Sequence, residues 1–122
     1  MRLLLSMILM VISLSIKGQE FLFENYSSEQ GLSQNSCYTI AQDDLGFMWF
    51  GTQDGLNRYD GKEFKVYHPQ NNEGNKLPSN YISALHFDQT NKQLWIGTIR
   101  GTCLYDTAGD SLLLITEKYP YA

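Results

Sequence analysis

The chain is poor in the residue types on which most active sites are built. It has two cysteines, two histidines and three prolines in 122 residues. Cys37 and Cys103 have no histidine pattern near them, so no zinc-type ligand set can be drawn. His68 and His86 lack partners at matching spacing and read as surface or structural residues. There is no glycine-rich phosphate loop, no nucleophile elbow and no HExxH. No catalytic residue, metal or cofactor is therefore expected, and the chain is not expected to be an enzyme. Basic residues are also few, nine against thirteen acidic, and none are clustered. Contact with a phosphate backbone needs a concentrated positive face, so direct nucleic-acid binding is excluded.

The single long apolar stretch, Leu3 to Ile16, falls short of the roughly 20 residues that a membrane span requires. Preceded by Arg2 and followed by Lys17-Gly18, it has the form of an export signal, with cleavage expected before Gln19. Residues 1–18 are therefore read as a signal peptide. Loss of Arg2 and Lys17 with it takes the formal charge from −4 to −6. An exported chain is placed in the periplasm.

What the sequence does have is a duplication. DDLGFMWFGTQDGLNRYD, residues 43–60, returns as DQTNKQLWIGTIRGTCLYD, residues 88–106. Before the acidic turn, Asn35 matches Asn80 and Asp43 matches Asp88. After it, Trp49 matches Trp95, Gly51 matches Gly97 and Tyr59 matches Tyr105, one residue further apart. A period in the forties with strand-like content is the mark of propeller blades. The fold class is all-β: about two four-stranded antiparallel blades and an N-terminal outer strand, an incomplete ring behind a signal helix. Residues 19–122 form the partial propeller. A blade-completing strand is expected at about 21–26, blade one at about 36–67 and blade two at about 81–116.

Local chemistry fills in the blades. Cys37 to Ala41 has strong β propensity and is read as an innermost strand. Asp43-Asp44-Leu45-Gly46 is a turn, and Asp60-Gly61 is a hairpin signal of the type I′ kind. Gly51 and Gly97 have no side chain, which allows a neighbouring strand to come close or a bulge to form. Trp49 and Trp95 are expected between blades rather than on a ligand. Cys37 and Cys103 are both read as buried apolar thiols. Two blades alone leave apolar faces wet, so the chain is expected to need further blades and to be unstable by itself.

The run LSQNSCYTIAQDDLGFMWFGTQDGLNRYDGKEFKVY resembles the two-component regulator propeller repeat. The order inner strand, D-x-x-G turn, W-x-G-T, G-L, Y-D is that of the family. The second copy departs from it, with Asn91-Lys92 in place of the turn glycine and Gly101-Thr102 in place of G-L. The resemblance implies the N-terminal part of the exported sensor region of a hybrid two-component system. It also implies an oligosaccharide or other small periplasmic ligand, control of polysaccharide-utilisation genes, a membrane-anchored parent, a homodimeric receptor and histidine kinase activity in regions outside this chain.

Loops on a rigid β scaffold are where ligands are usually held. Loops entering an inner strand and turns joining the second and third strands share one face of a propeller. That face gathers Gln34, Asn35, Gln53 and Asp54 from blade one with Asn80 and Arg100 from blade two as candidate ligand-binding residues. Asn35 and Asn80, which recur, also suit loop-fixing bonds to backbone. Two rival readings remain: a secreted propeller lyase, hydrolase or carbohydrate-binding protein with its active residues in other blades, and a truncated fragment without function.

Overall fold

The computed structural model describes residues 1–13, 18–69 and 77–115, with the side chains of 11–13 excepted. Helix α1 spans Arg2–Ser13, and the side chains of its first nine residues are exposed. Among the described residues no helix is long and apolar enough to cross a membrane. Among the described residues after Leu32 the regular structure is all β. Strands β1 (Cys37–Gln42), β2 (Met48–Thr52), β3 (Gly55–Tyr59) and β4 (Phe64–Tyr67) form one antiparallel sheet in chain order. Strands β5 (Ile82–Asp88), β6 (Gln93–Thr98), β7 (Gly101–Asp106) and β8 (Ser111–Leu114) form the second in the same way. These are two propeller wedges, and the described residues close no ring.

The wedges repeat even in their irregularities. In each, the inner strand slips register against its neighbour, between Cys37 and Thr39 in one and between Ile82 and Ala84 in the other. The slip lies opposite Gly51-Thr52 and Gly97-Thr98, so the extra residue belongs to the repeat and bends both inner strands alike.

The core lies between the sheets. Trp49, Leu56, Ile82, Leu94, Ile96 and Cys103 are fully buried, with Tyr105 and Leu77 close to it. Side chains alternate along a strand, so every wedge has two faces. The face carrying Thr39, Gly51 and Trp49 meets the face carrying Leu85, Ile96 and Tyr105. Trp49 lies against Tyr105 at 4.7 Å between ring centres and against Tyr67 of its own sheet at 5.8 Å. The Leu85 amide donates to Thr39 Oγ1 across the seam at 3.1 Å, and the Arg58 guanidinium donates to the Tyr105 hydroxyl at 2.9 Å. In the second wedge the equivalent face looks outward, and Trp95 is 40% exposed.

Gly51 shows why the seam is this tight. A Cβ there would stand 2.6 Å from Thr39 Cγ2 and 2.7 Å from Ile82 Cγ2. The matching Gly97 would meet only Ala84 and Ser83, at 3.4 Å and beyond.

Three expectations change in the structure. Cys37 is exposed and free, whereas Cys103 is buried and free. Cys37 shares its repeat position with Ile82, but Ile82 faces the first wedge and Cys37 has no wedge on that side. Residues 21–26 form no strand in this chain: Phe21, Leu22 and Phe23 are exposed. A strand needs an edge to pair with, and the edge expected to receive this segment belongs to another blade. Tyr26, itself exposed, lies against Tyr59 at 4.9 Å and Phe64 at 5.9 Å. The Asp60-Gly61 turn is not type I′, since Gly61 has positive φ and Lys62 does not. Instead the Asp60 carboxylate accepts from the amides of Lys62 at 2.8 Å and Glu63 at 2.7 Å. The end of blade two at Thr116 lies outside the described residues.

These turn acids set a pH dependence. The Glu63 and Lys62 amides hold Asp60 below its ordinary value of 3.8, and the Asn91 side chain followed by the Asn91 and Thr90 amides does the same for Asp88. A lowered folded pKa gives stability that is complete above the ordinary value and lost as pH falls through the folded one. Acid titration of the chain should therefore show a destabilising limb below about pH 4 that flattens in the Asp60→Asn/Asp88→Asn double variant.

Packing gives a second expectation. Gly51→Ala should cost about 1–3 kcal/mol through overpacking, while Gly97→Ala stays within about 0.5–1 kcal/mol of neutral or stabilises slightly. Urea midpoints from tryptophan emission, with trimethylamine N-oxide present to populate the folded baseline, separate the two.

Candidate functional site

The threonine of each Trp-x-Gly-Thr unit explains why a tight turn follows it. Thr52 Oγ1 donates to the Gly55 carbonyl at 3.1 Å and accepts from the Asp54 amide at 3.1 Å. Thr98 does the same with the Gly101 carbonyl at 2.8 Å and the Arg100 amide at 3.2 Å. One hydroxyl thus staples each two-residue turn, leaving Gln53-Asp54 and Ile99-Arg100 projecting from the rim. Gly55 is required at its place: its φ is +127°, and a Cβ would stand 2.9 Å from the Tyr67 carbonyl oxygen. Positive φ without steric cost is the particular freedom of glycine.

The loop entering β1 is pinned just as firmly. Ser27 caps the short turn Ser28–Gln30, and Ser28 N donates to Asn35 Oδ1 at 2.7 Å. Asn57, fully buried in β3, accepts from the Ser33 amide at 2.9 Å and donates to Ser33 Oγ at 2.8 Å. Ser33 Oγ also lies 2.9 Å from Thr52 Oγ1. Loop and turn are thereby brought side by side, and the Gln53 amide donates to Gln34 Oε1 at 3.2 Å.

Across the seam the two wedges share this rim. Gly55 N donates to the Asn80 carbonyl at 2.8 Å, joining the turn of the first wedge to the entry loop of the second. Gln53 Nε2 donates to the Tyr38 hydroxyl at 2.5 Å, and the Tyr38 ring stacks on Tyr81 with centres 5.5 Å apart and planes 21° apart. Tyr38 is half exposed. The result is an aromatic platform with two amides, Gln34 and Gln53, along its side.

The candidates of the second wedge meet in a groove of about 240 Å³ lined by Pro69, Pro78, Ser79, Asn80, Ile99 and Arg100. Asn80 Oδ1 is buried and has no hydrogen-bond partner among the described residues. The side chains of Asp54 and Arg100 are exposed at their turn tips. Asn35 serves to hold its loop, as its recurrence suggested. Asn80 joins its loop to the first wedge through its backbone carbonyl, which accepts from Gly55 N; the segment that would match Ser28 lies outside the described residues. Tyr38 and Tyr81 escaped the sequence reading: tyrosine is a common strand residue, and only the approach of the two entry segments makes the pair a platform. Among the described residues no group of acids, histidines or cysteines could hold a metal ion. The buried Cys103 thiol is pushed up to about 12 by desolvation.

Known proteins agree with this architecture. Residues 31–54 and 76–100 match the family described as two component regulator propeller. Each matched segment runs from the loop before an inner strand to the turn after the Trp-x-Gly-Thr unit. Over 58 residues, 48% of this chain, it is 45% identical to Histidine kinase P4 of Formosa agariphila. The extracellular domain of a hybrid two component system of B. thetaiotaomicron superposes with a TM-score of 0.70 and 33% identity over 75% of this chain. The chain spans only 4% of the first protein and 13% of the second.

The staple yields its own expectation. Thr52→Val leaves the Asp54 amide and the Ser33 hydroxyl without their partner and should cost about 1–3 kcal/mol. Hydrogen exchange should quicken at Ser33, Gln53 and Asp54. Thr98→Val should speed exchange only at the Ile99-Arg100 turn.

Proposed function

We propose that this chain, built from two component regulator propeller repeats, is part of the ligand-sensing propeller of a two-component receptor. Its ligand is an oligosaccharide, and its parent receptor controls polysaccharide-utilisation genes. Residues 1–18 export it, so the rim faces the periplasm. The observation that carries the ligand class is the Tyr38–Tyr81 stack beside Gln34 and Gln53. Sugar rings present an apolar face and a hydroxylated edge. Aromatic rings cover the first, and amides, which both donate and accept, bond the second. Gln53, Asp54, Asn80 and Arg100 complete the rim. Ligand is bound and released unchanged.

The wider support is comparative. A similar fold serves as the extracellular domain of a hybrid two component system, and a similar sequence occurs in a histidine kinase. Each wedge can pass a rim event to its neighbour, because turn and entry loop are joined through Gly55 N and Asn80 O.

Titration of the chain, held folded by trimethylamine N-oxide, with a panel of neutral oligosaccharides, followed by tyrosine and amide chemical shifts, tests the reading. One member should bind with Tyr38 and Tyr81 shifting most. Tyr38→Ala should weaken it about tenfold or more, which corresponds to about 1.4 kcal/mol, and the recovered sugar should be unaltered by chromatography. No binding by any member, or binding that ignores Tyr38→Ala, overturns it.

A further inference from the structure

The groove between the second wedge's entry loop and turn has a composition unlike the tyrosine platform. Among the described residues its lining, Pro69, Pro78, Ser79, Asn80, Ile99 and Arg100, holds one charged group, the guanidinium of Arg100. Asp54 stands on the other wedge's turn and is not among the described lining residues. Ile99, 65% exposed, and the two prolines give an apolar wall.

Asn80 Oδ1 adds the second observation. It is a buried acceptor with no donor among the described residues. A buried polar atom left unpaired costs about 1–3 kcal/mol. Water is the ordinary remedy, but the groove at its side has room for more than water. A ligand hydroxyl that meets this amide as it turns toward the groove recovers the lost bond. The guanidinium beside it offers parallel N–H groups, a geometry that carboxylate matches with two bonds.

We propose that this groove is a subsite for a sugar acid, with the ligand carboxylate on Arg100 and a ring hydroxyl on Asn80 Oδ1. The assignment rests on the reading of the rim as a sugar-binding face and narrows it. The neutral part of the ligand lies on Tyr38 and Tyr81, and the acidic unit lies in the groove. At about 240 Å³ the space suits one monosaccharide unit rather than a chain. Arg100 has no counterpart in the first wedge, where Asp54 occupies the turn, so the preference for acid belongs to this position alone.

The test compares D-glucuronate with D-glucose, which differ only in the oxidation of C6. Side-chain resonances of Arg100 and Asn80 in the 122-residue chain, held folded by trimethylamine N-oxide and checked by its dispersed amide spectrum, report binding. Glucuronate should bind at least tenfold tighter, shift both residues, and lose its advantage as sodium chloride is raised. Arg100→Gln should bring the two sugars to equal affinity, and Arg100→Lys should retain part of the difference. Equal binding of both sugars to the unaltered chain overturns the subsite, as does a preference that survives Arg100→Gln. Either result leaves sensing intact if a neutral oligosaccharide still binds in a Tyr38-dependent way. Failure of every sugar, acidic and neutral, overturns both readings.

Discussion

A single buried carboxylate sets the geometry of the first wedge. Asp43 accepts from the amides of Leu45 at 3.0 Å and Phe47 at 2.9 Å through one oxygen, and from the Trp49 indole at 2.8 Å through the other. The first pair closes the β1–β2 turn. The third bond fixes the indole in the seam, where it lies on Tyr105 and where the Arg58 guanidinium reaches past it. A buried carboxylate needs such partners, since an unpaired one is far costlier than a neutral polar group. Turn shape and wedge-to-wedge packing are therefore one interaction.

The second wedge shows what happens when the turn changes. One inserted residue puts Lys92 at φ 56°, and Asp88 bonds to the Thr90 and Asn91 amides and the Asn91 side chain. Trp95 is left without that anchor and half in solvent. Its hairpin between β7 and β8 is also longer and carries Asp110, which takes the Tyr105 hydroxyl and stands 3.7 Å from Arg58. Sequence copies that look equivalent thus differ in how each face is held. The rim inherits this rigidity, because Gly55, whose amide crosses to Asn80, begins the strand that also carries Arg58.

Much of this was legible in advance from particular residues. The doubled Trp-x-Gly-Thr units mark β2 and β6, and the acids before them mark the turns. The glycine within the first unit marks a place where the other wedge comes close, since a Cβ at Gly51 would stand 2.7 Å from Ile82 Cγ2, whereas at Gly97 the nearest atom is 3.4 Å away. Gln34 with Gln53, and Asn80 with Arg100, were placed on one rim by counting strands, and they do adjoin. Cys37 is exposed because burial at its repeat position depends on a neighbouring wedge, which Ile82 has and Cys37 lacks among the described residues. The Tyr38–Tyr81 pair is not legible in the sequence, because no spacing rule links an inner strand to the segment before the next one.

The order of strands, the register slip and the existence of two alike wedges follow from local propensity and a repeated pattern, both of which are properties of the chain read along its length. Which face of each wedge is buried, which tryptophan is anchored and which side chains meet at the rim do not. Those depend on contacts between residues some 45 positions apart, such as Thr39 with Leu85 and Arg58 with Tyr105. Only the packing of one sheet on the other brings such pairs within bonding distance, because hydrogen bonds and ring contacts act over a few ångströms and sequence carries no distance of its own.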